Sequence, residues 1–288
     1  MRAATYASVS VASLLILVKA AAWFATDSVS LLSTLIDSLL DAVASLVNLL
    51  AVRQALAPAD AEHRFGHGKA EPLAALGQAA FIAGSAVFLL FEAGQRLYEP
   101  RAVEHGDIGI AVMVFSILVT FVLVRFQAYV VRKTGSLAIK ADSLHFVGDL
   151  LVNAAVIVAL LLSWRLGWSY ADPLFGLAIA GYILRTAWRI AREALDMLMD
   201  RELPGADRDE IEAIALGHPM VGAIKDLRTR AAGPTIFVNI VLLLDGKLSL
   251  HQAHEVADEV EAALRARYPA AEILIHQEPV DDRAPEPH

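Results

Sequence analysis

The 288-residue sequence contains no cysteine, which removes disulfides, thiolate metal sites and thiol redox chemistry from consideration. It is also short of charge, with 19% Asp, Glu, Lys and Arg where soluble domains carry about 25%. No basic excess is present: 24 Lys and Arg against 32 Asp and Glu give a formal net charge of -8, so nothing favours a nucleic-acid partner. What fills the gap is apolar. Hydrophobic residues make up 57% of the chain and the mean hydropathy is +0.53, against about 45–50% apolar residues in ordinary domains. A single globular core of this size cannot use that much apolar surface, so part of it must face lipid. The same surplus excludes a disordered chain and a disulfide-rich secreted scaffold.

Charge is unevenly spread. Residues 1–200 hold 15 basic and 16 acidic side chains, whereas residues 201–288 hold 9 and 16. Within the first part, apolar runs recur at roughly 9–26, 31–52, 72–91, 108–124, 141–164 and 171–190, each near the length a helix needs to cross hydrocarbon. Six crossings follow. A cleaved signal peptide is a rival reading of the first run, but Lys19 interrupts it and the positive stretch before it is only Arg2. Basic residues collect in alternate connections: Arg53, Arg64 and Lys69; Arg125, Arg132, Lys133 and Lys140; Arg185, Arg189, Arg192 and Arg201. These belong to the cytoplasmic side, which puts both termini there.

Beyond residue 201 the pattern is that of a small soluble domain. Asp207 is placed to cap a helix running to about Leu216, Val221–Arg230 and Thr235–Leu244 are rich in strand formers, and Ser249 opens a helix to about Tyr268. A strand over Glu272–His276 completes the order helix, strand, strand, helix, strand, which suits an α+β sandwich with helices on one face of a sheet. The expected organisation is a membrane all-α six-helix bundle over 1–200, a small α+β cytoplasmic domain over 201–280, and a disordered tail over 281–288.

Ionisable residues inside the apolar runs carry the chemistry. Asp37 and Asp41 lie four apart in LLSTLIDSLLDAVASLVNLL, and His145 and Asp149 repeat the spacing in ADSLHFVGDLLVNAAV. On helices each pair projects from one face. Three carboxylates at membrane depth cost about 3 kcal/mol each, of order 9 kcal/mol together, unless paired, protonated or cation-bound. No Lys or Arg lies at matching depth in these two helices, which leaves protons and a metal ion as partners. Hydrogen bonds to Ser33, Ser38, Ser45 or Asn48 account for one stray Asp but not for two such pairs. Three oxygen ligands and one imidazole suit tetrahedral Zn²⁺, and also admit Fe²⁺, Mn²⁺, Co²⁺ or Cd²⁺. Deprotonated carboxylates and neutral imidazole bind metal, whereas protons restore a tolerable empty site, so metal is expected to leave as protons arrive.

The segments SVSLLSTLIDSLLDAVASLVNLLAVR, PADAEHRFGHGKAEPLAAL, KADSLHFVGDLLVN, LMDRELP, DLRTR and IHQEP together resemble the cation diffusion facilitators, within them the bacterial zinc and ferrous-iron efflux pumps, over almost the whole chain. The resemblance implies a homodimer in the bacterial inner membrane that exchanges a divalent metal, Zn²⁺ first, for protons, with Asp37, Asp41, His145 and Asp149 as its transport site. It implies an accessory metal site at Asp60, His63 and His67, where one carboxylate and two imidazoles sit within eight residues beside Gly66 and Gly68; alone, that motif reads as solvated polar side chains in a turn. It implies an interlock between Lys69 and Asp200 at the dimer interface, and a ferredoxin-like C-terminal domain. In that domain two ligand histidines of the relatives are replaced, by Lys225 or its neighbour and by Val241, while His254, His276 and Glu278 match. One weakly held ion is therefore expected there, or none, with His251 one turn before His254.

Remaining features read as structural. Gly77 and Gly84 with Ala79, Ala80 and Ala83 suggest a helix-packing seam. Asp27 and Asp172 stand at outer helix ends, and His105, His218 and His288 are isolated. A metal-dependent hydrolase is disfavoured, because His254-Glu255-Val256-Ala257-Asp258 lacks the second His of a zinc-protease signature. A membrane metal sensor or a passive divalent-metal channel using the same ligands is the alternative to a carrier.

Overall fold

A computed structural model of the chain describes residues 1–27, 29–98, 107–166 and 170–280. The tail over 281–288, with His288, and His105 in the connection before the fourth helix lie outside the described residues. The chain divides into two compact units, Met1–Leu195 and Asp196–His288.

The first unit is built from α1 (Arg2–Thr26), α2 (Val29–Ala55), α3 (Ala70–Tyr98), α4 (Asp107–Thr134), α5 (Leu137–Leu166) and α6 (Ala171–Leu198). All six are long and apolar enough to cross a membrane. They outrun the apolar runs because their polar ends continue the hydrogen-bond ladder past the hydrocarbon. Leu17, Phe24, Phe91, Leu118, Val122 and Trp188 are exposed, an outward apolar surface that only lipid or another apolar partner satisfies. Asp27 caps α1 in the left-handed region (φ 51°), its N–H donating to Trp23 O at 2.8 Å. Gly135 does the same for α4 at φ 65°, donating to Val131 O at 2.8 Å, so α4 and α5 are joined by two residues.

Small residues let α3, α5 and α6 approach. Ala75, Ala79 and Ala86 of α3 pack with Ala141 of α5 and Ala187 and Ala194 of α6 in one buried cluster. The seam expected at Gly77 and Gly84 is shifted: a Cβ on either would meet nothing within 4 Å. Those glycines line cavities instead, and the alanines make the contact. Close approach does occur at Gly148 of α5, where a Cβ would come to 3.2 Å from Ile183 Cδ1 of α6.

In the second unit, α7 (Gly205–Leu216), β1 (Ala223–Ala232), β2 (Thr235–Leu244), α8 (Leu250–Arg267) and β3 (Ala271–Pro279) follow the expected order. The sheet runs β1-β2-β3, with β1 and β2 antiparallel through a turn at Gly233 (φ 59°) and β2 and β3 parallel across α8. Alternate residues Val238, Ile240, Leu242 and Leu244 of β2 are buried with Ile211 and Ala215 of α7 and Val256, Val260 and Leu264 of α8. Period two on the strand meets period four on the helix in one core. Ser249 caps α8 in a reciprocal capping box with Gln252. Asp207 does not cap α7: the helix begins at Gly205 after Pro204, which places Asp207 in the first turn, where its charge still complements the helix dipole. At the other edge of the helix pair, Glu210 accepts from Arg267 Nε at 2.7 Å and Tyr268 Oη at 2.8 Å. These donors hold the Glu210 carboxyl below its ordinary value, while burial and the bond to Glu210 push the Tyr268 phenol up to about 12.

Candidate metal centre

Helices α2 and α5 bring the predicted pairs together. His145 Nε2 lies 2.8 Å from Asp41 Oδ1 and 3.8 Å from Asp149 Oδ2, and one ligand atom from each of the three falls within 4.8 Å of the others. His145 is buried, while the Asp41 and Asp149 side chains are 19% and 39% exposed to a cavity of about 540 Å³. Asp37 lines the same cavity one turn earlier on α2 but stands outside that cluster of three. Phe81 of α3 packs edge-on against the His145 ring at 5.8 Å between centroids, restricting its orientation.

Several residues that shape this centre were not singled out from the sequence. Glu71 of α3 is 2% exposed and accepts from Ser136 Oγ at 2.5 Å and Ala138 N at 3.4 Å. It thus caps the start of α5 and fixes the depth at which His145 and Asp149 arrive. Lys19 of α1 donates to Ser38 Oγ at 2.7 Å and to Thr34 O at 3.2 Å. An ammonium supplied by a third helix therefore sits against the turn of α2 that carries Asp37. Asp142 is buried three residues before His145, and its signal was in the sequence: positions 142, 145 and 149 form one i, i+3, i+7 stripe.

In the α2–α3 connection, Asp60 Oδ1 accepts from His63 N at 2.6 Å and Glu62 N at 2.9 Å, an Asx-type turn. The two imidazoles approach the same carboxylate, His63 Nδ1 at 3.4 Å and His67 Nε2 at 3.3 Å, with ring centroids 4.5 Å apart. The backbone N–H of His63, then that of Glu62, keeps the Asp60 carboxyl below the usual carboxylate range. Gly66 adopts φ 75°, closed to most side chains, whereas Gly68 does not share that conformation.

The C-terminal candidates are not gathered. Among the described residues, clusters of three ligands occur only at Asp60, His63 and His67 and at Asp41, His145 and Asp149. His254 faces Asp258 at 3.6 Å and His251 faces Glu255 at 3.4 Å, both along α8, while His276 lies 3.8 Å from Glu278 on β3. Lys225, at the register shift of β1, donates to Glu278 Oε2 at 2.7 Å, and Val241 pairs with His276 in the sheet. His218 binds Glu259 at 2.9 Å. Lys69 ends the connection before α3; Asp200 follows α6 at φ 57° and accepts from Arg230 Nη1 at 3.2 Å.

Residues 5–199 match the family of cation efflux transmembrane domains, and residues 203–280 match the family of cation efflux protein cytoplasmic domains. The chain belongs to the cation efflux family. It is 50% identical over 279 residues to the cation-efflux pump FieF of Serratia proteamaculans, covering 97% of this chain and 93% of the relative. It is equally 50% identical over 276 residues to the FieF pump of Salmonella agona, covering 96% and 92%. Among solved structures, CzrB in its zinc form, described as a candidate zinc transporter, is 32% identical over 30% of this chain and 99% of that one, with a TM-score of 0.28. As a family member the chain is a multi-pass membrane transporter with a cytoplasmic C-terminal domain, and it is not an enzyme. The resemblance read from its motifs thus holds over nearly the whole length.

Proposed function

We propose that this protein exports a divalent transition-metal cation from the cytoplasm in exchange for protons, with Zn²⁺ as the metal best suited to its ligands. The observation that supports it is the convergence of Asp41, His145 and Asp149 within 4.8 Å at membrane depth. Asp37, on the same cavity, is the fourth ligand of a tetrahedral ion. Formal charge points the same way. Three carboxylates and the Lys19 ammonium sum to two negative charges, which one dication or two protons neutralise.

Residues 1–200 carry the ion, and 201–280 hold two copies together as a homodimer in the bacterial inner membrane, with the N-terminus also cytoplasmic. Lys69 and Asp200 interlock the copies near the membrane surface. Asp60, His63 and His67 collect ions at the cytoplasmic entrance. The C-terminal domain binds one ion at most, because Lys225 already engages Glu278.

Reconstituted vesicles test this by metal flux measured for Zn²⁺, Fe²⁺, Mn²⁺ and Cd²⁺ against an imposed pH gradient. A carrier gives saturable flux, driven by the opposing proton gradient and lost in Asp41→Ala while the protein still folds. Flux indifferent to the gradient removes the exchange, and flux that never saturates indicates a channel.

A further inference from the structure

One face of α6 carries positive charge that nothing in the chain offsets. Ile183, Ala187, Ile190 and Ala194 form the buried stripe of this helix and pack into the cluster shared with α3 and α5. At about 100° per residue, Arg185, Arg189 and Arg192 project from the opposite side. All three are exposed, and Tyr182 and Trp188 flank them at 50% and 71% exposure. None of the three side chains has an ion pair or hydrogen bond among the described residues. The nearby acids of α6 are already engaged, Glu193 by Lys140 of α5 and Asp196 by Arg201.

Depth makes this arrangement costly. The apolar span of α6 starts at Pro173 and runs toward the cytoplasmic C-terminal domain. At about 1.5 Å per residue from Pro173, Arg185 lies about 18 Å and Arg192 about 28 Å along the helix, inside roughly 30 Å of hydrocarbon. Tilting the helix only brings them deeper. Arginines near a helix end escape by snorkelling, but the Cα–Cβ bonds of α6 tilt toward its N-terminus, away from the cytoplasmic headgroups. An unpaired guanidinium on this face therefore needs an anion to come to it.

A second copy of the chain does not offer one. In the helices at this end of the bundle, Glu71 and Asp142 are buried, while Glu193 and Asp196 are paired. A phospholipid phosphate does, because its oxygens match the planar guanidinium fork. A zwitterionic headgroup brings its own ammonium and is repelled by the same three charges, so the lipid must be anionic. Tyr182 and Trp188 supply amphipathic rings of the kind that settle where headgroups meet chains.

We propose that Arg185, Arg189 and Arg192 bind the phosphate of an anionic phospholipid of the cytoplasmic leaflet, with Trp188 against its chains. The site is independent of the transport reading and requires only that α6 cross the membrane.

The test is quenching of Trp188 fluorescence in vesicles of the full-length protein by phosphatidylglycerol or phosphatidylcholine with identical brominated chains, each diluted into unbrominated phosphatidylcholine. The signal of Trp188 is the difference between the unaltered protein and Trp188→Phe. Half-maximal quenching should need at least about fivefold less of the anionic lipid, the effect of one arginine at an anionic surface. The preference should disappear in the combined variant Arg185→Gln, Arg189→Gln and Arg192→Gln, and persist in Arg132→Gln on α4. If the combined variant fails to insert, Arg189→Gln alone should reduce the preference, and raised salt should reduce it in the unaltered protein. Equal quenching by the two lipids overturns the site, as does a preference that survives the arginine substitutions. Absence of quenching by either lipid means that a second copy covers this face and overturns it as well.

Discussion

Lys19 brings a positive charge from α1 to the helix that carries Asp37 and Asp41 of the proposed transport site. Its ammonium is anchored to Ser38 Oγ and Thr34 O on the turn of α2 that carries Asp37, where it would repel a dication in the proposed site. That repulsion is not screened as it would be in water. Replacing it by Lys19→Gln should tighten binding of Zn²⁺ by about tenfold, a change of about 1.4 kcal/mol in binding free energy, and should slow turnover because release becomes harder. Calorimetric titration and vesicle flux on the same variant check both halves; unchanged affinity would mean that the ammonium lies electrically outside the site. The i, i+4 spacing of Asp37 with Asp41 and of His145 with Asp149 was legible because helical periodicity is a local property. The anchoring of Lys19 was not, because its partners belong to another helix and no spacing in the sequence records that α1 lies against α2.

At the scale of elements, the α2–α3 connection acts as a unit through its backbone. Two N–H donors hold Asp60 ionised below the ordinary carboxylate range, so Asp60 stays charged at pH values where an ordinary aspartate begins to protonate. If the loop binds metal, acidification should therefore release it by a route other than protonation of Asp60. Asp60→Asn should lower the affinity without moving the pH at which binding is half lost. Metal titrations across pH on a variant whose transport site is removed by Asp41→Ala isolate the loop; a midpoint that moves with Asp60→Asn would assign the acid failure to the carboxylate. The start of α5 shows the same dependence on backbone donors. Glu71 caps it from α3, and the α5 pair reaches the α2 pair at the right depth because of that cap. The sequence offered α5 as a helix but could not show that a buried glutamate elsewhere sets where it begins.

On the scale of the whole molecule, the C-terminal unit is a sheet backed by two helices, held by alternating β2 residues against α7 and α8. Lys225 donates to Glu278 Oε2 at 2.7 Å. Chelation of all divalent metal should accordingly leave the proposed homodimer intact, which light scattering on the full-length protein measures. Dissociation into monomers on chelation would show instead that a bound metal bridges the copies. The two units also differ in what their surfaces ask for. The first exposes Phe24, Phe91 and Trp188 to an apolar surrounding, while the second carries the acidic excess into water.

Composition, the lengths of the apolar runs and the placement of Lys and Arg were enough to give six membrane helices followed by a soluble α+β domain, since hydrophobicity and periodicity act along the chain. The two acidic pairs were readable for the same reason. Which carboxylates meet which imidazole, the standing of Asp37 outside the tight cluster, the approach of Lys19 and the burial of Asp142 depend on helix rotation and relative depth. Those are fixed by side chains packing across helices, at Ala75 and Ala79, at Gly148 against Ile183 and at Glu71, and such contacts leave no period in a sequence.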